Sequence, residues 1–244
     1  MEAEDPLVDA TDEREIRWGM GDAVLGMVLS LVLSAIGLSI LLAVLDETDA
    51  ENLPLWATTI AEIPLWIGLL VPLLRASTRK GLGSLRADFG LAMEWRDVPI
   101  GLAAGVATQI VIGLGSSWLY DLLGIDSDKL GETAERLADR AVGAGNVVLL
   151  VVIVVIGAPV VEELFYRGLW LRSIERRTRN PMLALVLTSL IFGIAHFQPY
   201  DLIALAPAGF VFGWLSQRAG RLGPGIWAHV GFNTIAVIAL LASN

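Results

Sequence analysis

The 244 residues are 55% hydrophobic and 18% charged, with a mean hydropathy of +0.66 and no cysteine. That composition excludes an ordinary soluble domain, and the missing cysteine excludes a disulfide, a thiolate zinc site and a cysteine nucleophile. A formal net charge of -9 argues against nucleic acid as a partner.

The first nineteen residues are acidic, with Arg14 and Arg17 as their cations. They lack the basic start and cleavage site of a signal peptide. Residues 1–19 therefore read as a cytoplasmic tail, and residues 20–244 as one transmembrane helical domain. Charge-poor apolar runs place spans at about Asp22–Leu45, Pro54–Leu74 and Pro99–Leu122. A fourth begins near Val147 and continues to about Arg177, and a fifth covers Met182–Phe197. The sixth ends near Gln217 with Pro207 inside it, and the seventh is Pro224–Leu241. The fold class is all-α: a polytopic transmembrane bundle of about seven spans with one or two interfacial helices, Leu85–Trp95 and Lys129–Arg140. Asn180-Pro181 and Gln198-Pro199-Tyr200-Asp201 punctuate turns.

With the N-terminus inside, the cytoplasmic segments hold fourteen of the seventeen Lys and Arg residues. The other three all fall in the loop Gly124–Asn146. This is the positive-inside pattern, and it predicts a multi-pass integral membrane protein with a cytoplasmic N-terminus. Trp18, Trp56, Trp95, Trp118, Trp170, Trp214 and Trp227 fall near the expected span ends, as an aromatic belt would.

Adjacent carboxylates, Glu162 and Glu163, end the uncharged run Val147–Val161. Ionisable residues inside a span are expensive and mark functional sites. Glu163 and Arg167 stand four apart, acid first, the favourable order for an ion pair on one helix face. Glu162 points about 100° away, left without its neighbour's partner and free for chemistry. Both histidines also lie in apolar helical stretches, as Phe192-x-x-x-His196 and His229-x-x-x-Asn233.

Helix rise gives ~22 Å from Glu162 to Arg177 and ~21 Å from Met182 to His196. An antiparallel hairpin of the fourth and fifth spans thus brings Glu162 level with His196. By the same count His229 lies ~8 Å above Pro224. It reaches the pair if that hairpin projects further into the cytoplasm than the turn before the seventh span. Pro159 cannot donate to the carbonyl of Val155, which loosens the helix just before Glu162. A desolvated carboxylate and an imidazole can deprotonate water. A second imidazole and an amide can donate to an oxyanion. Glu162, His196 and His229 can equally hold zinc with an open position for water.

Glu162-Glu163-x-x-x-Arg167, Phe192-x-x-x-His196 and His229-x-x-x-Asn233, in that order on successive membrane segments, resemble the CAAX-protease and bacteriocin-processing family. That group includes the type II CAAX prenyl endopeptidases. The resemblance covers roughly Val147–Asn244. It implies an intramembrane endopeptidase whose site opens to the cytoplasmic side and whose substrate is a peptide or membrane protein in the bilayer. By analogy Glu162 and His196 activate water, and His229 with Asn233 stabilises the oxyanion. Glu163, Arg167 and Phe192 fall to structural or substrate-orienting roles. No cofactor is required in this mechanism; a zinc-dependent version would use Glu162, His196 and His229.

Two other readings compete. Gly115-Ser116-Ser117 offers a serine nucleophile in the third span, although small residues in membrane helices usually serve packing. A transporter or a scaffold for a partner's membrane helix would use the same buried polar groups for binding alone.

Overall fold

The computed structural model describes residues 15–126 and 129–243, and every regular element among them is helical. Residues 1–14, most of the expected acidic tail, lie outside the described residues. The helices are α1 (Met20–Leu45), α2 (Leu55–Lys80), α3 (Leu85–Phe89), α4 (Asp97–Leu123), α5 (Glu132–Asp139), α6 (Ala144–Thr178), α7 (Pro181–Ile194), α8 (Leu202–Ala219) and α9 (Gly223–Ser243). A short 3₁₀ turn, Ala50–Asn52, precedes α2. Five of them (α1, α2, α4, α6 and α9) are long and apolar enough to cross a membrane. α7 is apolar but has 14 residues, about 21 Å of helix, and α8 does not meet that measure of length and apolarity.

The ends of the helices follow from local chemistry. Gly90 at φ 72° and Gly124 at φ 66° adopt the left-handed conformation that closes α3 and α4. Asn180 accepts a hydrogen bond from Leu183 N (3.0 Å), and Pro181 occupies the first turn of α7. α3 is shorter than the expected interfacial helix Leu85–Trp95. Gly90 ends it, and the carbonyls of Gly90 and Ala92 accept from Leu222 N (2.8 Å) and Gly223 N (3.1 Å), which holds that stretch extended. α5 likewise falls inside the expected Lys129–Arg140, because Gly131 at φ 80° starts it late.

α1 packs on α2 and α4 on α9 as the most extensive helix pairs, followed by α7 on α8. Gly101 and Gly105 form a small-residue stripe on α4, where an added Cβ would collide with the α9 backbone at Pro224 and Ala228. Large apolar side chains such as Val24, Val28, Ile36, Ile40, Val111 and Leu114 stay exposed on outer faces, as a lipid environment requires. The interior is centred on Phe89, Phe165, Leu169, Leu185, Phe192 and Ile226.

The connecting segments sort into two groups. At one end Arg17 N donates to Lys80 O (2.6 Å), Arg176 to Ile16 O (2.8 Å) and Trp18 O (3.0 Å), and Arg172 to Gly220 O (3.2 Å). Arg221 pairs with Asp97 there at 2.7 Å. At the other end Arg140 donates to Leu53 O (3.3 Å), Gly131 N to Asp201 (2.8 Å) and the Tyr120 hydroxyl to Tyr200 O. The chain is an all-helical polytopic membrane bundle with an arginine-rich end and an arginine-poor one.

Candidate active site

α6 departs from regular α geometry twice, in π-helical turns at Val151–Gly157 and Leu164–Leu171 that bracket Glu162 and Glu163. Such turns often occur at functional sites. In the first, Ala158 N–H bonds back to Ile153 O, five residues away. The next donor in that register, for Val154 O, would be Pro159, which has no N–H. Asn233 supplies the missing donor: its Nδ2 bonds Val154 O at 2.8 Å. The carbonyl affected by Pro159 is therefore that of Val154, not Val155 as an unbroken α-helix would have it.

Glu163 and Arg167 form the expected i,i+4 pair at 2.7 Å, with side chains 0% and 1% exposed. Arg167 also donates to Gly209 O (2.8 Å) and lies 4.5 Å from the centroid of the Phe192 ring. Gly209 leaves room for this: a Cβ there would sit 2.9 Å from Phe192 and 3.0 Å from the guanidinium. The same Glu163 Oε1 lies 3.0 Å from His229 Nδ1. A carboxylate only accepts, so Nδ1 carries the proton. That leaves Nε2 of a neutral His229 as a lone pair, 3.8 Å from Glu162 Oε2. The gap is too long for a direct hydrogen bond and suits a bridging water. Phe212 stacks on the His229 ring at 4.7 Å and Phe192 meets it edge-on at 5.7 Å.

His196 lies just beyond α7, not within a helix. His196 N bonds Gly193 O at 3.3 Å, and Phe197 takes a positive φ of 55°. Its Nδ1 bonds Phe192 O at 2.8 Å, and its ring packs on Phe192 at 4.8 Å. Glu162, His196, His229, Asn233 and Phe192 all line one cavity of about 470 Å³. The polar contact that Glu162 makes there is with His229 rather than His196.

Glu62 of α2 and Gln109 of α4 are among the other polar side chains that line it. Gln109 Oε1 is buried without a hydrogen-bond partner. Both interrupt apolar spans, and that interruption is the sequence signal that marks them. No three His, Cys, Asp or Glu side chains among the described residues are grouped to hold a metal ion. Glu162 and His229 stand side by side, but the zinc set of Glu162, His196 and His229 is not assembled. Ser116 is buried in α4 and does not line the cavity.

Residues 144–235 match the family model described as type II CAAX prenyl endopeptidase Rce1-like. The chain is 27% identical over 197 residues to "Putative membrane peptidase YdiL" of Bacillus subtilis (strain 168), covering 80% of this chain and 75% of that protein. It is 26% identical over 91 residues to "Uncharacterized protein YyaK" of the same organism, covering 34% and 30%. No solved structure matches significantly. The matched segment spans both glutamates of α6, both histidines and Asn233, the residues that carry the resemblance to the CAAX-protease and bacteriocin-processing family.

Proposed function

We propose that the protein is a membrane peptidase that hydrolyses a peptide bond within the cavity between α2, α4, α6, α7 and α9. The observation that carries this is the Glu163–His229–Glu162 arrangement. A fully buried carboxylate fixes one imidazole so that its second nitrogen and a cavity-lining carboxylate stand 3.8 Å apart, within reach of one water beside them.

A water beside that pair, on the cavity side, donates one hydrogen to Glu162 Oε2 and the other to His229 Nε2. As its oxygen attacks the carbonyl carbon, its proton passes to Glu162. The oxyanion accepts the second Nδ2–H of Asn233, whose first is spent on Val154 O. Collapse breaks the C–N bond, and Glu162 returns the proton to the leaving amine. The resemblance pairs Glu162 with His196 and gives His229 the oxyanion. The Nδ1 bond to Glu163 favours His229 as the water's partner, with His196 on the same cavity as a further acceptor.

Seven membrane crossings with the N-terminus in the cytoplasm fit the fourteen-to-three division of basic residues and the two groups of connecting segments. Glu162→Gln preserves shape and removes the base. In membranes of cells expressing it, fragments produced by the wild type should disappear from the membrane proteome. Unchanged fragments would overturn the peptidase reading and leave a binding role.

A further inference from the structure

Two polar atoms beside the buried network have no hydrogen-bond partner among the described residues: Glu163 Oε2 and Ser216 Oγ. Buried polar atoms are nearly always hydrogen-bonded, so an orphan calls for an explanation. Glu163 is served on one side only. Arg167 and His229 both reach its Oε1, at 2.7 and 3.0 Å. Oε2 of the same fully buried carboxylate is left bare. Both oxygens of a carboxylate accept hydrogen bonds, and in low-dielectric surroundings a bare one is costly.

The packing of α8 explains why Ser216 stands near it. Gly209, Phe212, Gly213 and Ser216 are buried, and their spacing puts them on one face of the helix. That face follows the network: the Gly209 carbonyl accepts from Arg167, and Phe212 stacks on His229. Ser216 comes one turn later. A Cβ on Gly225 of α9 would stand 2.1 Å from Ser216 Oγ and 3.2 Å from Glu163 Oε2, so both orphans border the same spot. Other hydroxyls in these helices are spent on the carbonyl four residues back. Thr108, Thr188 and Ser189 donate there at 2.7 Å, and Thr234 at 2.6 Å. Ser216 makes no such bond. Small residues between membrane helices usually serve packing. Packing accounts for the size of Ser216, but not for an unspent hydroxyl beside a bare carboxylate oxygen.

Resting on the peptidase reading above, we infer that Ser216 is a positioning residue of the site, its hydroxyl donating to Glu163 Oε2. Rotation about χ1 carries a serine hydroxyl among three staggered positions, and a turn toward Glu163 satisfies both orphans at once. With Oε2 held, the carboxylate cannot swing, and Oε1 stays on His229 Nδ1. That keeps the proton on Nδ1 and the lone pair on Nε2, the tautomer that accepts a hydrogen from the water.

The chain has two histidines, so histidine-selective nitrogen NMR of the purified protein in detergent reads His229 with His196 as an internal control. In the wild type His229 should show the Nδ1–H tautomer alone. Ser216→Ala keeps the size and removes the donor. It should add an Nε2–H population at His229, leave His196 unchanged and slow fragment production roughly tenfold, with melting unaltered. Ser216→Cys keeps the shape with a weaker donor and should fall between; it decides the matter if Ser216→Ala does not fold. An unchanged His229 tautomer in Ser216→Ala, or a Ser216→Cys protein identical to wild type, overturns the proposal and leaves Ser216 to packing. A changed tautomer with an undiminished cleavage rate overturns it as well. The tautomer is read on the resting protein without substrate. Its failure is therefore separate from failure of the peptidase reading, which Glu162→Gln tests by loss of fragments.

Discussion

Arg167→Ala removes the cation at the centre of the buried network. In the wild type its guanidinium is 1% exposed and makes a 2.7 Å bond to Glu163, a 2.8 Å bond to Gly209 O and a contact with the face of Phe192 at 4.5 Å. The variant leaves the Glu163 carboxylate, 0% exposed, without its cation, and the Gly209 carbonyl without its donor. Breaking one side of a buried pair costs about 3–5 kcal/mol. For a chain of this size that corresponds to roughly 6–20 °C in apparent melting temperature. The assay is thermal unfolding in detergent at a fixed scan rate, since membrane proteins commonly unfold irreversibly. A variant melting within about 2 °C of wild type would refute the pair as a structural brace. Loss of cleavage with that unchanged melting would assign Arg167 to the substrate instead.

Asn233→Ala should lower the cleavage rate by ~10²–10³ and leave residual activity, the usual cost of one oxyanion donor; an unchanged rate would confine Asn233 to capping Val154 O. Asp88, outside the spans, reports on pH. Burial pulls its carboxyl upward, but hydrogen bonds from Ser77, Leu82, Trp18 and Ser84 outweigh this and hold it below the ordinary carboxylate range. A depressed folded pKa contributes stability that is present above the unfolded value and lost as pH falls through the folded one. Asp88→Asn should therefore melt below wild type at pH 7, by about 1.5–3 kcal/mol in stability, with the two curves converging below roughly pH 3. A gap that is constant from pH 7 to pH 3 would show that the carboxylate charge is not what matters.

Features set by a single helix are legible in the chain. The Glu163–Arg167 pair follows from spacing alone, and the apolar helices stand close to where hydropathy places them. What escapes depends on contacts between helices. The register of α6 changes because a proline without a donor and an asparagine 79 residues away resolve the same carbonyl, and neither alone signals a π turn. Glu163 reads as spoken for by Arg167, yet one of its oxygens also fixes His229, 66 positions distant. His196 looks helical by periodicity, but the chain leaves α7 at Ile194. Glu62 and Gln109 are visible as polar interruptions; only the packing of α2 and α4 around the cavity gives them a shared destination.

The clasp at the arginine-rich end bears on how the molecule is made. Trp18 is buried against Phe89 and donates to Asp88 at 2.9 Å, and the cap over it is Arg176, 158 residues further along. At ribosomal speeds of about 5–20 residues per second, the first apolar anchor to emerge waits on the order of 8–30 s for the residue that locks it. Arg17 and Trp18 can meet Lys80 and Asp88 as soon as α2 and α3 have been made. The bonds from Arg176 to Ile16 O and Trp18 O close over them only after α6 has been threaded, so the clasp is fastened in two stages.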